Sequence, residues 1–143
     1  MTVWSATCVS LAGRGVLIEG PSGAGKSALA LALIDRGAQL VGDDGVVLGV
    51  HADGLVASPH PRTRGLLEVR NLGLLGFDPC ERVPIALVVG FDPAAPRFID
   101  AAGTVLRAGV PIPHVAIWPE LSPPALKVEH AMRVYGLPAP GLL

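Results

Sequence analysis

The chain has few aromatic residues, few cysteines and little charge, and it has no long apolar run. Its 143 residues include one Tyr, two Trp, three Phe and two Cys, and 16% of them are charged. The longest uninterrupted apolar run covers residues 28–34, whereas a membrane-spanning helix needs about 20 such residues. We therefore predict no transmembrane helix and no membrane partner.

The balance of charge argues against a nucleic-acid-binding protein. Eleven Lys and Arg residues stand against twelve Asp and Glu residues, which gives a net charge of -1 at pH 7. No run of five or more basic residues is present to neutralise a phosphate backbone. A single tyrosine offers little for stacking on bases. We predict no nucleic-acid partner.

Neither the cysteines nor the N-terminus indicates export. Cys8 and Cys80 are far apart in the sequence and form no C-x-x-C pair. The N-terminus lacks a charged region that leads into an apolar signal core. The expected location is the reducing cytoplasm.

Apolar residues, glycine and proline are abundant. Hydrophobic residues make up 50% of the chain and the mean hydropathy is +0.53, which excludes a disordered chain. Domains usually have about 100 to 200 residues, so we expect a single domain over residues 1–143. The 18 Gly and 14 Pro predict short elements joined by many turns.

A strand, a glycine-rich turn and a helix follow one another near the N-terminus. The apolar run of residues 15–19 predicts a buried strand, and the helix formers of residues 26–36 end at a glycine. Residues 39–41 predict the next strand after a short connection. This order predicts a βαβ crossover in a parallel sheet.

The rest of the chain predicts more strands and one further helix. The prolines within residues 110–118 predict a strand that is short or at an edge, residues 93–103 predict a loop, and residues 124–134 predict a terminal helix. Asp53-Gly54 favours a hairpin between its flanking strands. The other strands are predicted at residues 46–50, 55–57, 66–70, 72–77 and 85–89. Together these elements predict the α/β class.

One segment matches the phosphate-binding loop G-x-x-x-x-G-K-[ST] in full, at the predicted junction of strand and helix. Lys26 is one of two lysines in the chain, the other being Lys127. A glycine-rich turn with an exposed lysine is the alternative interpretation. The matching residues are Gly20, Pro21, Ser22, Gly23, Ala24, Gly25, Lys26 and Ser27.

This loop predicts that the protein binds ATP and Mg²⁺. Glycines let backbone amides point at phosphate oxygens, next to the positive end of a helix dipole. Lys26 would add a charge for the β- and γ-phosphates, and the Ser27 hydroxyl would be a magnesium ligand.

Phosphoryl transfer also needs a carboxylate near the loop, and two places compete for that role. Asp43 and Asp44 follow the strand after the loop helix, whereas Asp92 follows the strand predicted at residues 85–89. Adjacent carboxylates repel each other, which favours proton transfer at Asp43-Asp44. A solvated turn is the alternative at Asp43-Asp44, and a turn is the preferred interpretation of Asp92-Pro93.

Glu68 and Arg70 form a second candidate pair. They lie on one face if the segment is extended, because strand side chains repeat every two residues. A carboxylate beside a guanidinium could hold magnesium and phosphate together. An ordinary surface ion pair is the alternative.

The order and spacing of four features resemble those of the catalytic domain of HPr kinase/phosphorylase. The features are the phosphate loop, the Arg36-Gly37 end of the helix, Leu40-Val41-Gly42-Asp43-Asp44 and Glu68-Val69-Arg70-Asn71-Leu72-Gly73. The resemblance runs over residues 5–135 and is to the short form that lacks the N-terminal domain of longer members. It implies a P-loop-containing kinase domain with a central mixed β-sheet, flanking helices and a β-hairpin.

The resemblance also implies an activity and partners. The activity is ATP-dependent phosphorylation of a serine on HPr or an HPr-like phosphocarrier, with reverse phosphorolysis that yields pyrophosphate. The implied assembly is a homohexamer.

Residue by residue, the resemblance assigns roles to the candidate site. Asp44 matches the residue that removes the serine proton, and Asp43 would orient the site or help to hold metal. Ser27 and Glu68 match magnesium-binding positions. The other catalytic residues implied are Lys26, Arg70 and Arg97.

Three positions depart from the family pattern. Ser5 replaces a usual histidine, Asn71 replaces a usual glycine, and Pro113-His114 replaces a basic loop associated with phosphorolysis. The resemblance therefore supports the forward kinase reaction more than the reverse reaction.

Two other functions stay open from the sequence. A small-molecule kinase would use Arg62, Arg64 and Arg97 to clamp an anionic acceptor, although no Arg-rich lid segment is evident. A nucleotide-binding regulatory module that does not transfer phosphate is the second alternative.

Overall fold

A computed structural model describes residues 2–52 and 54–140. Strands are the main regular structure in this part of the chain, with one helix after the glycine-rich turn and one near the end. The strands are β1 (Thr2–Trp4), β2 (Thr7–Leu11), β3 (Arg14–Glu19), β4 (Gln39–Gly42), β5 (Val46–His51), β6 (Gly54–Pro59), β7 (Leu66–Val69), β8 (Gly73–Gly76), β9 (Val83–Phe91), β10 (Gly103–Arg107) and β11 (Val110–Ile117). The helices are α1 (Lys26–Asp35) and α2 (Ala125–Tyr135).

The central sheet is mixed. Its main path runs β1-β5-β6-β9-β3-β2-β4, and β11 joins β9 on a side path together with β10. Strands β3 and β11 both run parallel to β9, so the carboxyl ends of these three strands lie at one edge of the sheet. The loop that follows β3 is therefore presented at that edge.

The predicted crossover is confirmed, since the strands before and after α1 run in the same direction. Strand β2 pairs antiparallel with both β3 and β4, so β3 and β4 run in the same direction with β2 between them. The sequence pattern did not predict β2, whose residues Thr7–Leu11 mix polar and apolar side chains.

The predicted hairpin is also confirmed. Strands β5 and β6 pair antiparallel from Val46 opposite Pro59 to His51 opposite Gly54. Asp53, which belongs to the predicted turn, lies outside the described residues. Strands β7 and β8 form a separate two-stranded sheet.

The prediction that residues 110–118 contain a short or edge strand was wrong, because β11 has eight residues and two neighbours. Its first half, which holds Pro111 and Pro113, pairs with β10 alone, and its second half pairs with β9. A segment with one neighbour tolerates proline because its other side needs no backbone donor. The prolines thus mark where β11 has an open side.

Both faces of the sheet are covered, which accounts for the high apolar content. Alternate residues of a strand point to opposite faces, so Val16 and Ile18 pack with α1 and α2 while Leu17 packs under the β5–β6 hairpin. Cys8 and Cys80 are free thiols, and burial raises the pKa of the Cys8 thiol above its ordinary range.

Within the described part of the chain, neither helix has the length and apolarity needed to cross a membrane.

Candidate active site

The glycine-rich loop joins the end of β3 to the start of α1. Gly23 and Gly25 have φ angles of +83° and +105°, which glycine adopts without steric cost. Gly25 is the residue before the first helical turn, and no side chain caps that turn. The first amides of α1 are therefore left to bind an anion from outside the helix.

The Lys26 side chain folds back over this loop. Its Nζ donates to the carbonyl oxygen of Gly20 at 2.6 Å and lies 3.4 Å from that of Pro21. The half-buried ammonium thus lies against the residues that a phosphate would contact. This position supplies a positive charge at the loop.

The carboxylate of Asp43 connects three elements around the loop. It accepts hydrogen bonds from Thr7 Oγ1 at 3.0 Å, from Ser27 Oγ at 2.7 Å and from the backbone N–H of Glu68 at 3.1 Å. The residue is buried, with 8% of its surface exposed. Asp43 therefore fixes the Ser27 hydroxyl relative to β2 and β7.

Asp44 differs from Asp43 in backbone conformation and in exposure. Its φ is +59°, a left-handed conformation that Asp tolerates better than most residues. This turn of the backbone leaves Asp44 exposed at the rim of a cleft, while Asp43 points inward. The predicted pair is thus divided into a buried, hydrogen-bonded carboxylate and an accessible one.

The cleft brings most of the predicted site residues together. Its volume is about 520 Å³, which is in the usual range for a small-molecule site. The Nη2 atom of Arg70 lies 3.8 Å from the place where a Cβ on Gly23 would be, so its guanidinium reaches the loop. The lining residues are Ser22, Gly23, Gly25, Lys26, Ser27, Ala28, Leu31, Asp44, Glu68, Val69 and Arg70.

Arg97 lies away from this cleft. It lines a separate depression of about 170 Å³ together with Phe98, Trp118 and Lys127. Arg64 forms an ion pair with Glu81 on the exposed surface. The structure therefore brings Arg97 neither into the phosphate-loop cleft nor into a clamp with Arg64.

Asp92 has a local role in a turn, as the sequence predicts. Its Oδ1 accepts the backbone N–H of Ala94 at 2.8 Å, and its carbonyl accepts the N–H of Ala95. Both bonds stabilise the chain reversal after β9. Asp92 is absent from the residues that line the cleft.

The oxygen donors beside the loop suit magnesium. Ser27 Oγ and the Asp43 carboxylate are in contact, and Glu68 lines the same cleft. Residues 2–52 and 54–140 contain no group of three or more His, Cys, Asp or Glu residues that could hold a metal by themselves. Magnesium needs no such cage, because one or two carboxylates complete its shell together with water and phosphate oxygens.

Thr7 is a site residue that the sequence did not reveal. It is fully buried on β2 and donates to Asp43. What marks Thr7 is that its polar side chain is buried, and burial is known only once the fold is known.

Comparisons with known proteins agree with this geometry. The family model described as "HPr Serine kinase C-terminal domain" matches residues 1–79. The HPr kinase/phosphorylase of Bordetella pertussis is 56% identical over 64 residues, which cover 44% of this chain and 21% of that protein. The HPr kinase/phosphorylase of an Exiguobacterium species is 43% identical over 76 residues, which cover 52% of this chain and 24% of that protein.

A solved structure extends the likeness over nearly the whole chain. The HPr(Ser) kinase/phosphatase from Coxiella burnetii has a TM-score of 0.82 and 26% sequence identity, and the match covers 93% of this chain and 89% of that one. The curated relatives are much longer proteins, since the aligned segments span 21% and 24% of their lengths. The family model nevertheless covers more than half of this chain, and the chain therefore belongs to the HPr serine kinase C-terminal domain family.

Proposed function

We propose that this protein is an ATP-dependent kinase that phosphorylates a serine of HPr or of an HPr-like phosphocarrier in the cytoplasm. The observation that carries the proposal is the division between Asp43 and Asp44. Asp43 is buried against Ser27, while Asp44 is exposed in the phosphate-loop cleft. HPr is proposed as the acceptor because the relatives are named as HPr kinases.

The loop and its lysine would bind the nucleotide. Amides at the start of α1 and the Lys26 ammonium would contact the phosphates of ATP. Ser27 and Glu68 would hold magnesium, with Asp43 fixing the Ser27 hydroxyl. Bound magnesium would neutralise charge on the phosphate oxygens during transfer.

Asp44 would act as the general base. It would take the proton from the serine hydroxyl while the hydroxyl oxygen attacks the γ-phosphorus and ADP leaves. An accessible carboxylate is needed for this step, because an acceptor protein must bring its serine to it. Arg70, which reaches the loop, would stabilise charge on the transferred group.

Reverse phosphorolysis has less support in this chain than the kinase reaction. Ser5 is exposed in the connection between β1 and β2. Asn71 has a φ of +71°, a conformation open to both glycine and asparagine, so this departure preserves the turn. His114 lies on β11 against Gly90 and not in the cleft.

Assembly into a homo-oligomer, a hexamer in the resemblance, belongs to the same proposal. Several large apolar side chains are exposed, including Leu72, Phe98 and Leu121 at 71%, 79% and 109%. A contiguous exposed apolar patch would mark a contact surface between subunits, so light scattering at several protein concentrations tests this part of the proposal.

Mass spectrometry tests the kinase proposal. The protein is incubated with Mg-ATP and HPr from the same source, and HPr is examined for one added phosphate on a serine. Lys26→Ala is expected to abolish the modification, and Lys127→Ala, which removes the other lysine, is expected to retain it. ATP binding without any phosphate on HPr would favour the regulatory module or another acceptor.

A further inference from the structure

A second polar cluster lies directly before the phosphate loop. The carboxylate of Glu19 accepts a hydrogen bond from Trp4 Nε1 at 2.8 Å and two from Arg107, Nε at 2.9 Å and Nη2 at 2.6 Å. The guanidinium carbon also lies 5.0 Å from the centre of the Trp4 ring, within range of a cation–π interaction. We call these three residues the Glu19 clamp.

The clamp is mostly shielded from solvent. The Glu19 and Arg107 side chains are each 17% exposed. The hydrogen bond to Glu19 raises the pKa of Arg107, so the guanidinium keeps its charge. A bidentate pair of this kind is stronger than the exposed ion pairs elsewhere on the surface.

A histidine completes the surroundings of the clamp. Gly90 lies opposite Glu19 in the β3–β9 pairing, and a Cβ on Gly90 would lie 3.0 Å from His114 Nε2. A side chain at position 90 would therefore crowd the imidazole at its place near Glu19. Burial lowers the pKa of His114, Glu19 opposes that shift and Arg107 adds to it.

The clamp acts at the point where the chain enters the phosphate loop. Glu19 is the last residue of β3, and the carbonyl of the next residue, Gly20, accepts the hydrogen bond from Lys26. A Cβ on Gly20 would lie 3.1 Å from Phe91 Cβ, so the entry peptide is also closely packed. Trp4 and Arg107 thus tie the start of the loop to β1 and β10.

Charge is the second consequence of this position. Glu19 places a carboxylate one residue before a loop that would bind nucleotide phosphates. Unpaired, that carboxylate would repel the phosphates across a partly shielded region. Arg107 cancels it through two hydrogen bonds.

We propose that the Glu19 clamp positions the phosphate loop for nucleotide binding, by fixing the entry of the loop and by cancelling the carboxylate charge beside it. Its residues are positioning residues, since none of them lines the cleft. This inference rests on the nucleotide site of the proposed function.

Positioning of the loop and cancellation of charge together predict how the Mg-ATP affinities of the variants rank. Arg107→Gln leaves the Glu19 carboxylate unpaired and is expected to weaken Mg-ATP binding about tenfold. Glu19→Gln loosens the clamp without leaving an unpaired carboxylate and is expected to weaken binding about threefold. The double variant Glu19→Gln/Arg107→Gln is expected to return to the level of Glu19→Gln, because no unpaired carboxylate remains.

Equilibrium binding of Mg-ATP and Mg-ADP tests this order, at a temperature well below each variant's melting point. Glu129→Gln is the matched control, because it breaks the Arg36–Glu129 ion pair far from the loop and is expected to bind like the wild type. Val128→Ala, at a fully buried residue of α2, controls for lost stability. It is expected to lower the melting temperature without changing nucleotide affinity.

Partial recovery of binding in the double variant supports the clamp's role. Wild-type affinity in Arg107→Gln, or a double variant that binds more weakly than both single variants, overturns it. A lower melting temperature with unchanged affinity likewise reduces the clamp to a structural ion pair. Failure of the wild-type protein to bind Mg-ATP would instead overturn the proposed function together with this inference.

Discussion

The two halves of the chain contribute different things to the site. Residues 2–79 contain every residue that lines the phosphate-loop cleft, together with Asp43. Residues 80–140 supply β9, β10, β11 and α2, which pack against that half and contribute Arg107 to the Glu19 clamp. The family model matches the first half alone, whereas the structural match covers both.

We infer from this difference that the first half carries the chemistry of the proposed function and the second half mainly supports it. In the proposed function, the residues of the cleft must keep particular chemical groups, so their order and spacing are recognisable in a sequence. Strand β9 has to pack apolar side chains into the cores on both faces of the sheet, which many apolar sequences can do. The second half can therefore diverge in sequence while the fold remains the same.

The largest expected effect is on stability, in the second half. Leu87 is fully buried on β9, and Leu87→Ala is expected to lower the free energy of unfolding by about 3 kcal/mol because it leaves a cavity. Denaturant unfolding measures this loss. Nucleotide affinity of the folded variant is expected to be unchanged, and a large loss of affinity would break the division between support and chemistry.

Asp43→Asn is expected to affect both stability and binding. An amide offers one acceptor oxygen, whereas the carboxylate accepts three hydrogen bonds from Thr7, Ser27 and the N–H of Glu68. Loss of a buried acceptor is expected to cost about 2 kcal/mol of unfolding free energy. Calorimetric titration with ATP is expected to show that magnesium no longer strengthens binding. A variant that keeps the magnesium effect would show that Asp43 is only structural.

Two arginines sharpen the comparison. Arg70 lines the cleft and Arg97 does not. Arg70→Ala is expected to slow phosphoryl transfer about tenfold, since the positive charge proposed to stabilise the transferred phosphate would be lost. Arg97→Ala is expected to change the rate less than about twofold. Initial rates of HPr phosphorylation distinguish the two, and equal losses would contradict the assignment of the cleft.

The smallest expected effect concerns pH and His114. Its pKa is lowered in the folded protein from the ordinary value of 6.5, so the unfolded chain binds more protons in the window just below that value. Stability is therefore expected to fall as the pH drops through this window. The melting temperature is measured at about pH 7.5 and about pH 5.5. Its decrease between the two is expected to be smaller by about 1 to 2 °C in His114→Gln than in the wild type. An equal drop in both proteins would remove this contribution.

The parts of the fold that could be predicted are those with a local signal. The apolar run of β3, the helix formers of α1 and the glycine at the hairpin each act within a few residues. Strands β2 and β10 could not be predicted because their side chains are mixed and their pairing depends on distant segments. The prolines of β11 suggested an edge, and the partner β10 became visible only in the sheet.

The site residues likewise include some with a local sequence signal and some that only the fold brings together. The phosphate loop, Asp44, Glu68 and Arg70 could be predicted because their motifs are contiguous in sequence, and the structure brings them into one cleft. The Glu19–Arg107 pair joins residues 88 positions apart. No spacing rule connects such a pair, and the fold alone brings it to the entry of the loop.

The most direct test of the central claim compares Asp44→Asn with the wild type in nucleotide binding and in phosphoryl transfer to HPr. Removal of a general base typically costs about 10² to 10⁴ in rate, so the variant should bind Mg-ATP within about twofold of the wild type and transfer phosphate at least about a hundredfold more slowly. Asp92→Asn, in the turn after β9, is the matched control and should transfer normally. Transfer by Asp44→Asn at the wild-type rate would contradict the assignment of Asp44 as the base.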